Sequence, residues 1–320
     1  MKYFISARTF LFALTLLPLL SHADLPLTVD DLLADKNRFK LDTDLSYYNH
    51  HRSSVATQGF EMVDLGQGRT LYMPSIGESN ANTDSLIAGL GVRYGISDKL
   101  EMGVKTNAIY RNARHQNGAE LSKSSDTHLN DISLSTQYQF TKNHAKLPDV
   151  IGFGELSLYD NTQGLKNKSG TSALVGFTTY TVNDPIVLSL TGTYQYQPRR
   201  ETNTGGHVDL GDTATLNGSV GFAVNPDITL TGGVGVRHKW ADKNKFGKLE
   251  NNSTQTTLNL GFAYAMTARS NLTANVRTPI SGDGGSTLSV GLTSKLGKLP
   301  PPLSQKYRQI KSAEPTVSAP

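Results

Sequence analysis

Cysteine is absent from this chain of 320 residues, and tryptophan occurs once. Without cysteine there is no disulfide framework, no thiolate nucleophile and no lipid-anchored N-terminal cysteine. Charge and apolar bulk are also scarce. Charged residues make up 18% and hydrophobic residues 37%, both low for a soluble enzyme with a thick core. No apolar run reaches the roughly 18 residues that a transmembrane helix needs. What the chain has instead is glycine (30 residues), tyrosine (13) and phenylalanine (11), with much threonine, serine and asparagine. Glycine and β-branched residues are poor helix formers, so a helical bundle is disfavoured. The aromatic content is too high for a chain that buries nothing.

The N-terminus defines the class. Lys2 and Arg8 form a short basic region, Phe10–Leu20 is almost wholly apolar, and Ser21-His22-Ala23 offers small residues where a signal peptidase reads. This is the pattern of a cleaved secretory signal peptide, residues 1–23. Its removal takes two basic residues and brings the net charge from +4 to +2. No basic block large enough to bind nucleic acid remains.

Residues 24–38 form a periplasmic N-terminal leader or plug. Thr28, Asp30 and Asp31 suit the start of one short helix, and a leader without structure fits the same residues. From Phe39 the period is two. Leu86, Ala88, Leu90, Val92 and Tyr94 alternate with Ile87, Gly89, Gly91, Arg93 and Gly95, and a turn at Ser97-Asp98-Lys99 leads into Leu100, Met102, Val104, Thr106, Ala108 and Tyr110. Each such strand has one apolar face and one face of glycine, polar and charged residues. Twelve strands are predicted, mostly of about 11–13 residues, the length of a tilted bilayer span and about twice that of a sandwich strand.

The connections alternate. Short links are predicted after every second strand, and longer polar ones over 50–83, 112–127, 161–169, 198–211 and 241–252, with a shorter one at 281–285. Short turns on one side and long loops on the other are the signature of an all-β, 12-stranded antiparallel transmembrane β-barrel spanning residues 39–297. An even strand number puts both termini in the periplasm. Tyr47, Tyr110, Phe140, Tyr194, Trp240 and Tyr264 sit near the ends of the apolar faces, as interfacial aromatic girdles do. The expected location is the outer membrane of a Gram-negative cell. The expected partners are outer-membrane lipid and the machinery that inserts barrels. Residues 298–320, opened by Pro300-Pro301-Pro302, form a tail without strand pattern. It is either a solvated spacer or a docking peptide for a periplasmic partner.

Chemistry is hard to find in this pattern. His50, His51 and Asp64 could pair with Asp126 or Asp209 at the rim, as in a barrel protease or lipase, but no spacing distinguishes them from solvated loop residues. No H-x-H or H-x-x-x-H motif suggests a metal, and no cofactor is expected. The inward face is more informative. It carries the expected pore-lining residues Arg93, Glu101, Lys105, Arg111, Asp131, Glu155, Arg237, Lys239 and Arg277, with basic residues in excess. An open lumen of this kind mildly favours anions. The other reading is that these charges pair and hold a narrow, wet lumen. Loop 50–83 is the candidate lid.

The segment Ile87-Ala88-Gly89-Leu90-Gly91-Val92-Arg93-Tyr94-Gly95-Ile96-Ser97-Asp98-Lys99-Leu100-Glu101, together with the leader and twelve strands, resembles a group of outer-membrane transporter barrels. These are the meta-pathway phenol-degradation-like proteins and the barrel that exports functional-amyloid subunits in the Fap system. The resemblance implies a channel or transporter with unknown cargo, either small polar or hydrophobic solutes or an exported polypeptide. The other classes are a barrel enzyme and a closed structural or adhesive barrel. The reading is a non-enzymatic transport barrel.

Overall fold

In the computed structural model the described residues are 33–52, 60–74, 80–117, 120–141, 148–161, 165–166, 171–202, 205–267, 269–282 and 284–297. The signal segment, residues 24–32 of the leader and the tail 298–320 lie outside them. Twelve strands close into a barrel. They are β1 (Phe39–Arg52), β2 (Asn80–Gly95), β3 (Leu100–Asn117), β4 (Glu120–Thr141), β5 (Asp149–Asp160) and β6 (Ala173–Asn183). The second half comprises β7 (Ile186–Tyr196), β8 (Thr213–Asn225), β9 (Ile228–Lys239), β10 (Ser253–Thr267), β11 (Ser270–Ser281) and β12 (Ser286–Leu296). Each strand pairs antiparallel with its sequence neighbours. β1 closes the ring on β12, with Phe39 opposite Leu296 and Asn49 opposite Ser286. A closed ladder leaves no open edge, so every backbone polar group of a spanning strand can be satisfied in lipid.

The period of two sorts the side chains. On β7, Ile186, Leu188, Leu190, Tyr194 and Tyr196 are exposed, while Val187, Thr193 and Gln195 are buried. Phe140, Tyr110 and Trp240 are likewise exposed on the outer surface. In water such a continuous apolar exterior would be an aggregation hazard. In a bilayer it is the solvated face.

The long-loop end differs from the expectation of polar loops. β3 and β4 continue as paired strands through most of the predicted loop 112–127, with Arg111 opposite Asp126 and Arg114 opposite Lys123. Alternation fades there because both faces of a strand meet water once it leaves the apolar belt. The loops after β5, β7 and β9 contribute Leu165–Lys166, Arg199–Thr202, His207–Asp209, Lys243–Asn244 and Gly247–Lys248 to a five-stranded outer sheet. Strands of two to four residues are too short to show a period, and their partners come from other loops.

The connection from β1 to β2 holds an inner hairpin, Phe60–Gly66 paired with Arg69–Pro74. Its turn demands glycine. Gly68 has φ +76°, and a Cβ there would lie 2.2 Å from the Thr193 hydroxyl of β7. At the opposite mouth, residues 33–38 run across the opening. Leu33 packs against Ile151, Tyr180 and Val187 of β5–β7, while Asn37 and Arg38 bond the backbone of Gly95 at the end of β2 at 2.7 and 3.0 Å.

Candidate functional site

The inner hairpin lies in the barrel interior as a plate between two walls. Alternation gives it two faces. Val63, Leu71 and Met73 form a buried cluster with Tyr48 of β1, Ile87 of β2 and Ile109 of β3. The other face turns Met62, Asp64, Thr70 and Tyr72 toward β7–β11. There the Tyr72 hydroxyl donates to the Gly211 carbonyl at 3.1 Å and lies 3.0 Å from the Thr213 hydroxyl. Tyr72 also packs with Val208 and Leu210, which ties the hairpin to the outer sheet. Gln195 of β7 holds Thr70 through both its backbone carbonyl, at 3.3 Å, and its hydroxyl.

Charge fixes the hairpin on both sides. The Arg69 guanidinium reaches Glu155 of β5 at 2.9 Å and Asp131 of β4 at 3.6 Å. Lys105 of β3 joins Glu155 at 3.7 Å. Across the lumen, the Asp64 carboxylate pairs with Arg277 of β11 at 2.5 Å and with Arg237 of β9, and accepts the Gly66 N–H at 2.8 Å. Asp64 belongs to the hairpin and not to a spanning strand. Burial alone pushes its carboxyl up, but Arg237 and Arg277 hold it below the usual carboxylate range. A buried carboxylate that keeps its charge needs such partners.

The nine residues singled out from sequence all lie on the inward side of their strands. Arg93, Glu101, Arg111, Arg237 and Lys239 are buried, and Lys105, Asp131, Glu155 and Arg277 are half-buried. They do not form one group. Arg93 bridges Asp42 of β1 at 2.5 Å and Glu101 at 3.2 Å near the terminus-side mouth. There the Glu101 carboxylate also accepts the Ala34 N–H. Lys239 sits near the outer mouth, 2.9 Å from the buried Asp242 and over the Tyr72 ring. Arg69, Lys105, Asp131 and Glu155 meet on one side of the hairpin, Arg237 and Arg277 on the other.

Sequence reasoning placed Asp42 and Asp44 on the polar face of β1 without counting them as lining, read Asp64 as a rim residue, and missed Arg69 of the hairpin and the pair of Arg200 with Asp160 at 2.5 Å. The hairpin was findable. Met62-Val63-Asp64-Leu65 and Thr70-Leu71-Tyr72-Met73 alternate around Gly66-Gln67-Gly68, a turn signal between two short strands.

Between hairpin and wall a cavity of about 40 Å³ remains, lined by Arg69, Tyr72, Asp131, Glu155, Asp160 and Gln195 among others, room for about three waters. The rim residues considered for catalysis do not converge. Asp64 is in the lumen, Asp209 pairs with Arg199 at 2.7 Å in the outer sheet, and Asp126 pairs with His128 at 2.5 Å. Among the described residues no group of three or more His, Asp or Glu is placed to hold a metal ion.

No family model matches the chain. Its fold is similar to solved outer-membrane proteins. An outer-membrane channel from Pseudomonas putida F1 aligns over 86% of this chain and 97% of that one, at 12% identity and a TM-score of 0.58. The transport unit of the autotransporter AIDA-I from Escherichia coli aligns over 84% of this chain and 93% of that one, at 12% identity and a TM-score of 0.50. At these identities the likeness is one of fold: the closed antiparallel barrel of outer-membrane proteins.

Proposed function

We propose that this chain is an outer-membrane channel for small solutes, gated by its inner hairpin. The observation that carries the reading is how the hairpin is attached. Among the described residues it forms its own two-stranded sheet and joins no barrel strand. Side-chain ion pairs, side-chain hydrogen bonds and two apolar clusters hold it in the lumen. The barrel ladder closes without it, so the hairpin can leave without breaking the wall.

The exposed apolar belt supports lipid as the surrounding partner. The signal-like segment 1–23 supports export to the periplasm and insertion by the barrel machinery, with 24–38 as a leader at the terminus-side mouth and 298–320 beyond the barrel. The nine inward charges act as lining of the conducting path. Channel function also fits the resemblance to transporter barrels, and it leaves the interior without catalytic work.

Purified protein in planar bilayers tests the reading. The full chain is expected to show rare or small conductance steps, and a variant lacking residues 60–74 larger and persistent ones. A folded deletion variant that carries no current overturns the proposal.

A further inference from the structure

The charges of the barrel strands are divided between its halves. β1–β5 carry acids facing the lumen, Asp42, Asp44, Glu101, Asp131 and Glu155, together with bases such as Lys105 and Arg93. β7–β12 contain no Asp or Glu at all, yet they place Arg237, Lys239 and Arg277 on the inward face. Lys239 finds its acids in the loop that follows β9, at Asp242 and Glu250. Arg237 and Arg277 find theirs in Asp64. Opposite them, Asp131 and Glu155 share Arg69. The hairpin thus presents a carboxylate to a basic wall and a guanidinium to an acidic wall, across one lumen.

Resting on the channel reading, we propose that the hairpin occupies the binding site of the permeant, and that this permeant is a small dipolar solute with separated carboxylate and cationic groups. When the hairpin leaves, Arg237 and Arg277 lose their carboxylate and Asp131 and Glu155 lose their guanidinium. Lys105 stays 3.7 Å from Glu155 and compensates only part of the acidic wall, so walls of opposite net sign then face each other, and the field between them lies across the direction of passage. A neutral solute gains nothing there. A lone anion or cation satisfies one wall and leaves the other uncompensated. A solute with both groups restores both sets of charge-assisted hydrogen bonds that the hairpin made. Arginine forks on one wall suit a carboxylate, and paired carboxylates on the other suit an ammonium or guanidinium. The same solute competes with the hairpin for both anchor points, so its arrival favours the open state.

Liposome swelling tests this with the full chain and with the variant lacking residues 60–74. The probes are δ-aminovalerate, which carries separated charges, and ribitol, a neutral solute of similar size. δ-Aminovalerate is expected to enter faster, by about tenfold if one good charge-assisted pair is gained. In Arg277→Gln and in a Glu155→Gln, Asp131→Asn double variant that ratio is expected to fall toward unity. Equal entry of both probes into the wild-type and deletion liposomes overturns the dipolar site and leaves the channel standing. Entry of neither probe, even through the deletion variant, overturns the channel reading as well. The wild-type ratio needs no variant, so a variant that fails to fold does not shield the proposal.

Discussion

The two halves of the barrel solve the same problem differently. β1–β5 carry both signs of charge and neutralise much of it within the wall, as Arg93 does with Asp42 and Glu101. β7–β12 carry inward bases and no acids, and they borrow their counter-charge. Asp64, from the connection between β1 and β2, supplies it to Arg237 and Arg277. The first half is balanced within its own wall except where Asp131 and Glu155 draw on Arg69 of the hairpin, and Arg237 and Arg277 of the second half have their acid only while the hairpin is seated. A buried base without its acid is costly, so the second half grips the hairpin through Asp64, and the first half grips it through Arg69 and its apolar face.

The largest test of that difference removes the hairpin. Deleting residues 60–74 is expected to leave a folded barrel, seen as an unchanged β-sheet circular dichroism spectrum in detergent. Its conductance is expected to rise several-fold. Loss of the barrel itself would show that both halves depend on the hairpin. Next comes Asp64→Ala, which leaves two guanidinium groups facing each other. The expected loosening of the hairpin is on the order of 3 kcal/mol, read as faster amide hydrogen exchange over residues 62–73. If exchange is unchanged, the second half does not hold the hairpin through charge. Leu71→Ala probes the first half. Trimming this buried leucine is expected to loosen the same amides by about 2 kcal/mol. A loosening larger than that of Asp64→Ala would reverse the ranking of the two halves. The smallest effect is expected for Tyr72→Phe, which removes the bonds to Gly211 and Thr213 at about 1 kcal/mol. Its exchange profile should change near residue 72 and leave 62–65 nearly as before.

The barrel was legible in the sequence because lipid on one side and water on the other impose a strict period of two on every spanning strand. Leu188, Leu190 and Tyr194 mark their face as plainly in sequence as in space. The nine charges were read onto the inward face by the same alternation. Their partners were not, because a loop obeys no such rule. Asp64 and Arg69 are ordinary polar residues in a polar stretch, and their role comes from contacts more than a hundred residues away with Arg237, or most of a hundred with Glu155. The outer sheet escaped notice for a related reason. Its strands are stabilised by neighbours from other loops, and no local pattern records that. The excess of bases counted from the strands was an unfinished count, since Asp42 of β1 and Asp64, Asp242 and Glu250 of the connections face the same groups.

Ring closure has a consequence for assembly. The chain is made from its N-terminus, so the hairpin exists long before β9 and β11, and β12 must reach β1 before the interior is enclosed. Asp64 can meet Arg237 and Arg277 only when those late strands have curled round to it. Closure of the wall therefore brings Arg237 and Arg277 round to the hairpin, whose charge is neutralised only once it seats against them. A barrel whose second half is faulty is left with an unseated hairpin and an exposed carboxylate, a form that quality control could tell from the finished molecule.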